Sequence, residues 1–164
     1  MSSTRPNTTS GSGVHAAEDR LVRWSALTAE LGSVRVFGSA WTPEPEVVFG
    51  RVEDIGPYCA SVLDHIGHPH PVTVRARRGA TSAHYEEARA VIAIPSARVG
   101  GQWAMREFTV LHELAHHVAS RPGAPDTPGH GPVFRAALLD LLRQTGHPIA
   151  ATMLGIAYAD EGLG

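Results

Sequence analysis

Lysine is missing altogether: all fourteen basic residues are arginine. Sixteen acids set against them leave a formal net charge of −2. That balance removes the general attraction to nucleic acid or to an acidic membrane surface that a basic chain carries. Cysteine is nearly missing too. Cys59 stands alone, so the chain forms no intramolecular disulfide and no cysteine-based zinc ribbon, a pattern that suits a reducing compartment. Long apolar runs are also lacking. The first residues hold nothing like a signal-peptide core. The most apolar region, 136–159, is interrupted by Asp140, Arg143, His147 and Pro148, too polar to span a bilayer. The expectation is a soluble, cytoplasmic protein with no membrane and no nucleic-acid partner. What is present is ordinary globular material: 43% hydrophobic and 18% charged residues in 164 positions, enough for one domain and one core.

Residues 1–14 are Ser, Thr, Gly and Asn with almost nothing apolar and read as a disordered tail before a single domain over 15–164. A helix is expected over 16–31, with Leu21, Trp24, Leu27 and Leu31 as its apolar stripe, Glu18 and Asp19 in its first turn and Gly32 at its end. Short strand-like runs at 34–37 and 47–49 flank a Pro-rich loop, and a second helix follows over 54–66. Strands are expected at 72–77, 83–88 and 90–94. The strongest helix runs over 102–119, where Ala104, Phe108, Leu111, Ala115 and Val118 step by four and three. A Pro- and Gly-rich loop over 120–129 leads to two more helices, 132–144 and 148–160, each with proline at a first-turn position.

The strong helix carries His112-Glu113-Leu114-Ala115-His116. Two residues four apart on an α-helix lie about 40° apart around its axis, so both imidazoles can point at one ion, and Zn²⁺ takes neutral imidazole readily. Glu113 projects about 100° from His112, near the metal but outside its coordination. There it can act as general base, taking a proton from a metal-activated water. A His pair at this spacing on an arbitrary helix is more often a surface pair. Here the helix is apolar around the motif, where solvation alone does not place polar groups.

A catalytic zinc site needs a third protein ligand. The metzincin spacing is excluded, because Ala119 and Pro122 occupy its Gly and His positions. A downstream Glu has one candidate, Glu161, close to the C-terminus. The better choice is His130 in Gly129-His130-Gly131-Pro132-Val133-Phe134, where flanking glycines allow a tight return and Phe134 can pack as the next helix begins. A helix-entry histidine in a turn is the plain alternative, and Asp140 and Asp126 are weaker substitutes.

His-Glu-Leu-Ala-His-His followed by His-Gly-Pro-Val-Phe resembles the SprT-like minimal zincins. The wider chain resembles a family of actinobacterial metallohydrolases through Ala-Ala-Glu-Asp at 16–19, 72–79, Ala83-His84-Tyr85-Glu86 and 111–117. The resemblance implies one Zn²⁺ per chain held by His112, His116 and His130, with Glu113 as catalytic base. The chain lacks the C-terminal zinc ribbon and Lys-rich tail of the DNA-repair members, which argues against a DNA-associated role. The expected fold is therefore α+β and zincin-like: a small mixed or antiparallel sheet packed on the motif helix, with further C-terminal helices. The expected activity is a zinc metallopeptidase acting on a peptide or protein substrate. A metallohydrolase of a small amide, or a metal-binding regulatory module without turnover, is the alternative.

Other polar residues carry weaker signals. His117 lies about 140° from His112, so it is not expected to be a ligand, although it shares a face with Glu113 and an orienting role is open. His65, His68 and His70 read as a helix end rich in turn residues. His84 and Tyr85 can face the cleft. Tyr158 can donate to an oxyanion, but a packed helix tyrosine is the simpler reading. Arg75, Arg77 and Arg78 read as a solvated strand face. The run 90–95 ends in Pro95, which cannot donate a ladder hydrogen bond. It is expected as an edge strand able to accept an extended peptide, with a central core strand as the alternative.

Overall fold

Val14, Ala17 and Leu21 recur at helical spacing and are all buried, and they define the inner face of the first helix, α1 (Thr9–Leu31). The computed structural model describes residues 9–79, 81–120 and 129–164. Helix α1 begins earlier than the composition suggested. Its first turns are poor in helix formers, but Val14 is wholly buried, and burial overrides weak propensity. The tail expected over 1–14 is therefore corrected for 9–14, which are helical; 1–8 lie outside the described residues. The stripe is corrected as well. Leu27 and Leu31 are 42% and 71% exposed, and the buried stripe sits one turn and more toward the N-terminus.

A two-strand hairpin follows, β1 (Val34–Val36) with β2 (Ser39–Trp41), paired Val34 to Trp41 and Val36 to Ser39. Its two-residue turn has Phe37 at φ 47° and Gly38 at φ 80°, the left-handed pair that matches strand twist. No strand was expected at 39–41, because a phenylalanine in the left-handed region is not a turn signal. The run at 47–49 is not a strand but a single bridge, Val48 to Arg106.

The Pro-rich segment before that bridge caps two distant helices. The Glu44 carboxylate accepts from the backbone N–H groups of Ile149 (2.9 Å) and Ala150 (3.1 Å). Glu46 accepts from the Phe108 N–H at 3.0 Å and pairs with Arg106. Each carboxylate supplies what orphan N–H groups and a helix N-terminus lack. The helices so capped are α3 (Glu107–Ala119) and α5 (Pro148–Asp160). Helix α3 is shorter than expected at its start, where 102–105 form a separate 3₁₀ turn.

Helix α2 (Ile55–His65) buries Ile55, Cys59, Val62 and Leu63. A three-stranded sheet follows, β3 (Thr73–Arg77), β4 (His84–Glu86) and β5 (Val91–Pro95), in the order β3-β5-β4. β5 runs parallel to β3 and antiparallel to β4. It is thus the central strand, buried at all five positions, and the edge-strand expectation for it is overturned. Pro95 is accommodated at the last position of the strand. Gly101 folds back on that end: a Cβ there would stand 2.4 Å from the Pro95 carbonyl oxygen, so only glycine fits.

Helix α4 (Pro132–Gln144) and α5 start and stop where the sequence placed them. Helix α3 packs on α4, α4 on α5, and α1 on α5, while β4 lies against α3. The architecture among the described residues is α+β, with five helices, a mixed sheet and a hairpin. The core between sheet and helices is filled by Ile92, Ile94, Leu111, Leu114, Leu142 and Leu154. No helix among the described residues is long and apolar enough to cross a membrane.

Candidate metal centre

Helix α3 buries Val110, Leu111, Leu114 and Ala115, which turns His112, Glu113 and His116 toward the space between α1, β4 and the start of α4. His130 reaches the same space from the residues just before α4. One nitrogen from each of His112, His116 and His130 lies within 4.8 Å of the others. The Nε2 atoms of His112 and His130 are 3.1 Å apart. Two nitrogens on one tetrahedral zinc stand about 3.3 Å apart, given Zn–N near 2.0–2.1 Å, so the trio fits a zinc-sized ion. Phe134, 3% exposed, closes the floor, with its ring 4.9, 4.4 and 4.8 Å from the rings of His112, His116 and His130. His130 is held through its backbone, whose carbonyl accepts from Arg135 Nη1 at 3.2 Å. Gly129 and His130 form a turn and Gly131 a bend before α4, as the flanking glycines led one to expect, and Gly131 itself has ordinary extended backbone, at φ −68°, ψ −178°.

The protonation states of the rings suit metal ligation. Burial, and then the nearby imidazoles of His112, His130 and His15, push His116 down to about 3. Burial, His112 and His15 push His130 down to about 4. Both rings therefore present neutral nitrogen lone pairs at neutral pH, as metal ligation requires. His112 behaves differently. Burial alone lowers it, but the hydrogen bond and charge of Glu18 outweigh burial and hold it above its ordinary value. His112 Nδ1 donates to Glu18 Oε2 at 2.8 Å, and the Tyr158 hydroxyl donates to Glu18 Oε1 at 3.4 Å.

Glu113 is 6% exposed. Burial raises its carboxyl above the usual range, opposed by the His112 charge and by the Tyr85 backbone N–H. It lines a cavity of about 490 Å³ together with all three histidines, Tyr85 and His84. A second cavity, about 410 Å³, shares His15, His112 and Glu113 with the first. Leu21, Val22, Phe108, Leu138 and Leu154 give it an apolar wall.

The other candidates are placed elsewhere. Glu161 lies 3.6 Å from Arg20, and Asp140 pairs with Arg143 at 2.9 Å; neither reaches the histidines, and Asp126 lies outside the described residues. His117 is no ligand but a buried tie. Its Nε2–H donates to the His70 carbonyl at 2.9 Å, and its Nδ1 accepts from the Tyr85 hydroxyl at 2.9 Å. That bond places β4 against α3. Arg75 pairs with Glu86, and Arg77 donates to the Ser82 carbonyl at 2.6 Å. They secure the β3–β4 connection rather than forming only a solvated face.

Two residues of the site escaped the sequence reading, His15 and Glu18, both on α1. The His15 ring stands 4.8 Å from that of His130 and 5.9 Å from that of His112. A signal for Glu18 existed. It stands four residues after Val14 and three before Leu21, on the apolar stripe, where a carboxylate needs a partner.

No protein-family model, curated protein or solved structure gives a significant match to this chain. What the site does is therefore argued from its own geometry.

Proposed function

We propose that this chain is a zinc-dependent hydrolase of zincin-like fold, acting on peptide bonds in the cytoplasm. The observation that carries the reading is the convergence of three histidine nitrogens with a buried carboxylate on the adjacent helix position. His112, His116 and His130 would hold the zinc, which when bound would supply Lewis acidity and a more acidic water. Glu113, one residue from the first ligand, takes the proton from the attacking water and returns it to the leaving amine. Its burial suits that task, since burial raises the carboxyl and a more basic carboxylate takes up a proton more readily.

The substrate edge moves from β5 to β4. Among the named strands β4 pairs with β5 alone, and its residues His84 and Tyr85 line the same cavity as Glu113 and His116. An extended peptide added along that edge is held by main-chain hydrogen bonds and presented to the centre. The apolar cavity of about 410 Å³ beside His112 favours a second reading, hydrolysis of a small apolar amide, since its size lies in the range of small-molecule sites. A peptide-library digest and a panel of small N-acyl amides, each run with and without chelator, separates the two. Metal-dependent cleavage confined to the small amides selects the second reading. No metal-dependent cleavage of either overturns both.

A further inference from the structure

We propose that Glu18 of α1 is a positioning residue of the metal centre, held in turn by Tyr158 of α5. The inference rests on the histidine-site reading above.

His112 has two ring nitrogens with different surroundings. Nε2 faces His130 Nε2 at 3.1 Å, inside the cluster. Nδ1 faces the Glu18 carboxylate, at 2.8 Å from Oε2 and 3.0 Å from Oε1. A carboxylate can only accept, so Nδ1 carries the hydrogen and Nε2 is the nitrogen left to ligate. Glu18 is thereby excluded as a fourth ligand, because the imidazole stands between it and the cluster. It selects the tautomer, stops the ring from turning and raises the basicity of the ligating nitrogen.

The pair is not a surface ion pair of the weak kind. The side chains of His112 and Glu18 are 13% and 20% exposed, and Glu18 receives a second donor from Tyr158, a residue 3% exposed. Three elements distant in sequence, α1, α3 and α5, therefore meet on one carboxylate. A helix-surface glutamate placed for solubility needs neither a buried imidazole nor a buried phenol beside it. Sequence position favours the same conclusion, since Glu18 shares α1 with Val14, Ala17 and Leu21, all buried.

The test is zinc affinity, measured by competition with a chromophoric chelator on full-length wild type, Glu18→Gln, Glu18→Ala and Tyr158→Phe, alongside the melting temperature of each metal-free protein. Cobalt(II) absorption of each variant reports ligand geometry independently of activity. Loss of an outer carboxylate partner lowers metal affinity about 10- to 100-fold, and that is the expected effect of Glu18→Ala. Glu18→Gln, whose amide oxygen still accepts from Nδ1–H, is expected to recover part of that loss. Tyr158→Phe removes a single long hydrogen bond and is expected to cost about two- to tenfold. The cobalt spectrum of Glu18→Ala should differ from wild type, and that of Glu18→Gln should lie closer to it. Wild-type binding with unchanged affinity and spectrum in both Glu18 variants overturns this proposal and leaves the site reading standing. Failure of the wild-type chain to bind zinc or cobalt overturns the site reading and this inference with it.

Discussion

Helix α3 carries two buried glutamates, Glu107 at its first turn and Glu113 at its middle, 2% and 6% exposed. Glu107 accepts from three donors: the Val47 N–H at 2.8 Å, the Tyr58 hydroxyl at 2.5 Å and His147 Nε2 at 3.0 Å. Burial by itself would raise its carboxyl, but those donors overcome burial and hold it below its ordinary value. Glu113 has the opposite balance, with burial prevailing and the carboxyl raised. One carboxylate is tied into the fold by donors from three separate segments. The other is desolvated, with burial outweighing the Tyr85 N–H and the His112 charge, and it lines a cavity beside three histidines. A desolvated carboxylate on a cavity wall beside three imidazoles has the physical character of a reactive group.

The sharpest way to break this contrast is to exchange each carboxylate for a neutral group. Glu113→Gln is expected to reduce metal-dependent hydrolysis by about 10²–10⁴-fold while zinc content and melting temperature hold or rise. A fall under about threefold would remove Glu113 as the base. Glu107→Ala, by contrast, leaves His147 buried without its charge partner and is expected to cost about 3–5 kcal/mol of stability, read by urea unfolding. If Glu113→Gln proves the more destabilising of the two, the assignment of structural and reactive roles is reversed.

Smaller effects sharpen the picture. Tyr58→Phe withdraws one of the three donors on Glu107 and should cost about 1–3 kcal/mol in the same unfolding experiment, less than loss of the carboxylate itself. The smallest effect is in pH. The Glu107 hydrogen bond raises His147 above its ordinary 6.5, so the stability His147 contributes is complete below that value and is lost as pH rises through its folded pKa. Glu107 lies below its ordinary 4.5, so its contribution is complete above that value and is lost as pH falls through its folded pKa. The pair therefore stabilises most between about pH 4.5 and 6.5. The melting-temperature gap between wild type and Glu107→Gln should be widest in that window and narrow on both sides. A gap that does not vary with pH would show that the pair is not ionised in the folded protein.

Much of the candidate site was legible before any coordinates. His112 and His116 share a helix face by arithmetic that involves one turn of backbone, and His130 stood out for its flanking glycines after a loop, with Phe134 close behind. Helices α4 and α5 ran as expected, since proline at the first turn and an apolar run are local signals. Legibility failed where a residue's role is set by something far along the chain. Glu18 read as a first-turn acid, and only the approach of α1 to α3, 94 residues apart for the Glu18–His112 pair, shows it as the partner of His112. Glu44 and Glu46 lay in a Pro-rich loop and turned out to cap α5 and α3.

The strand 91–95 marks the boundary between the two kinds of information. Its apolar run by itself determined that the segment is buried, because burial of such side chains follows from their transfer free energy whatever the topology. Whether it is an edge or the centre of the sheet depends on which strands pair with it, and β3 and β4 take both sides. In the same way, helix periodicity by itself determined that two imidazoles share one helix face with a carboxylate beside them. Only the tertiary structure decided that His130 joins them, that Glu18 rather than solvent holds His112, and that Glu113 rather than Glu107 is the carboxyl that burial raises. Those outcomes depend on donors and charges brought within hydrogen-bond reach by packing, and local periodicity carries no record of them.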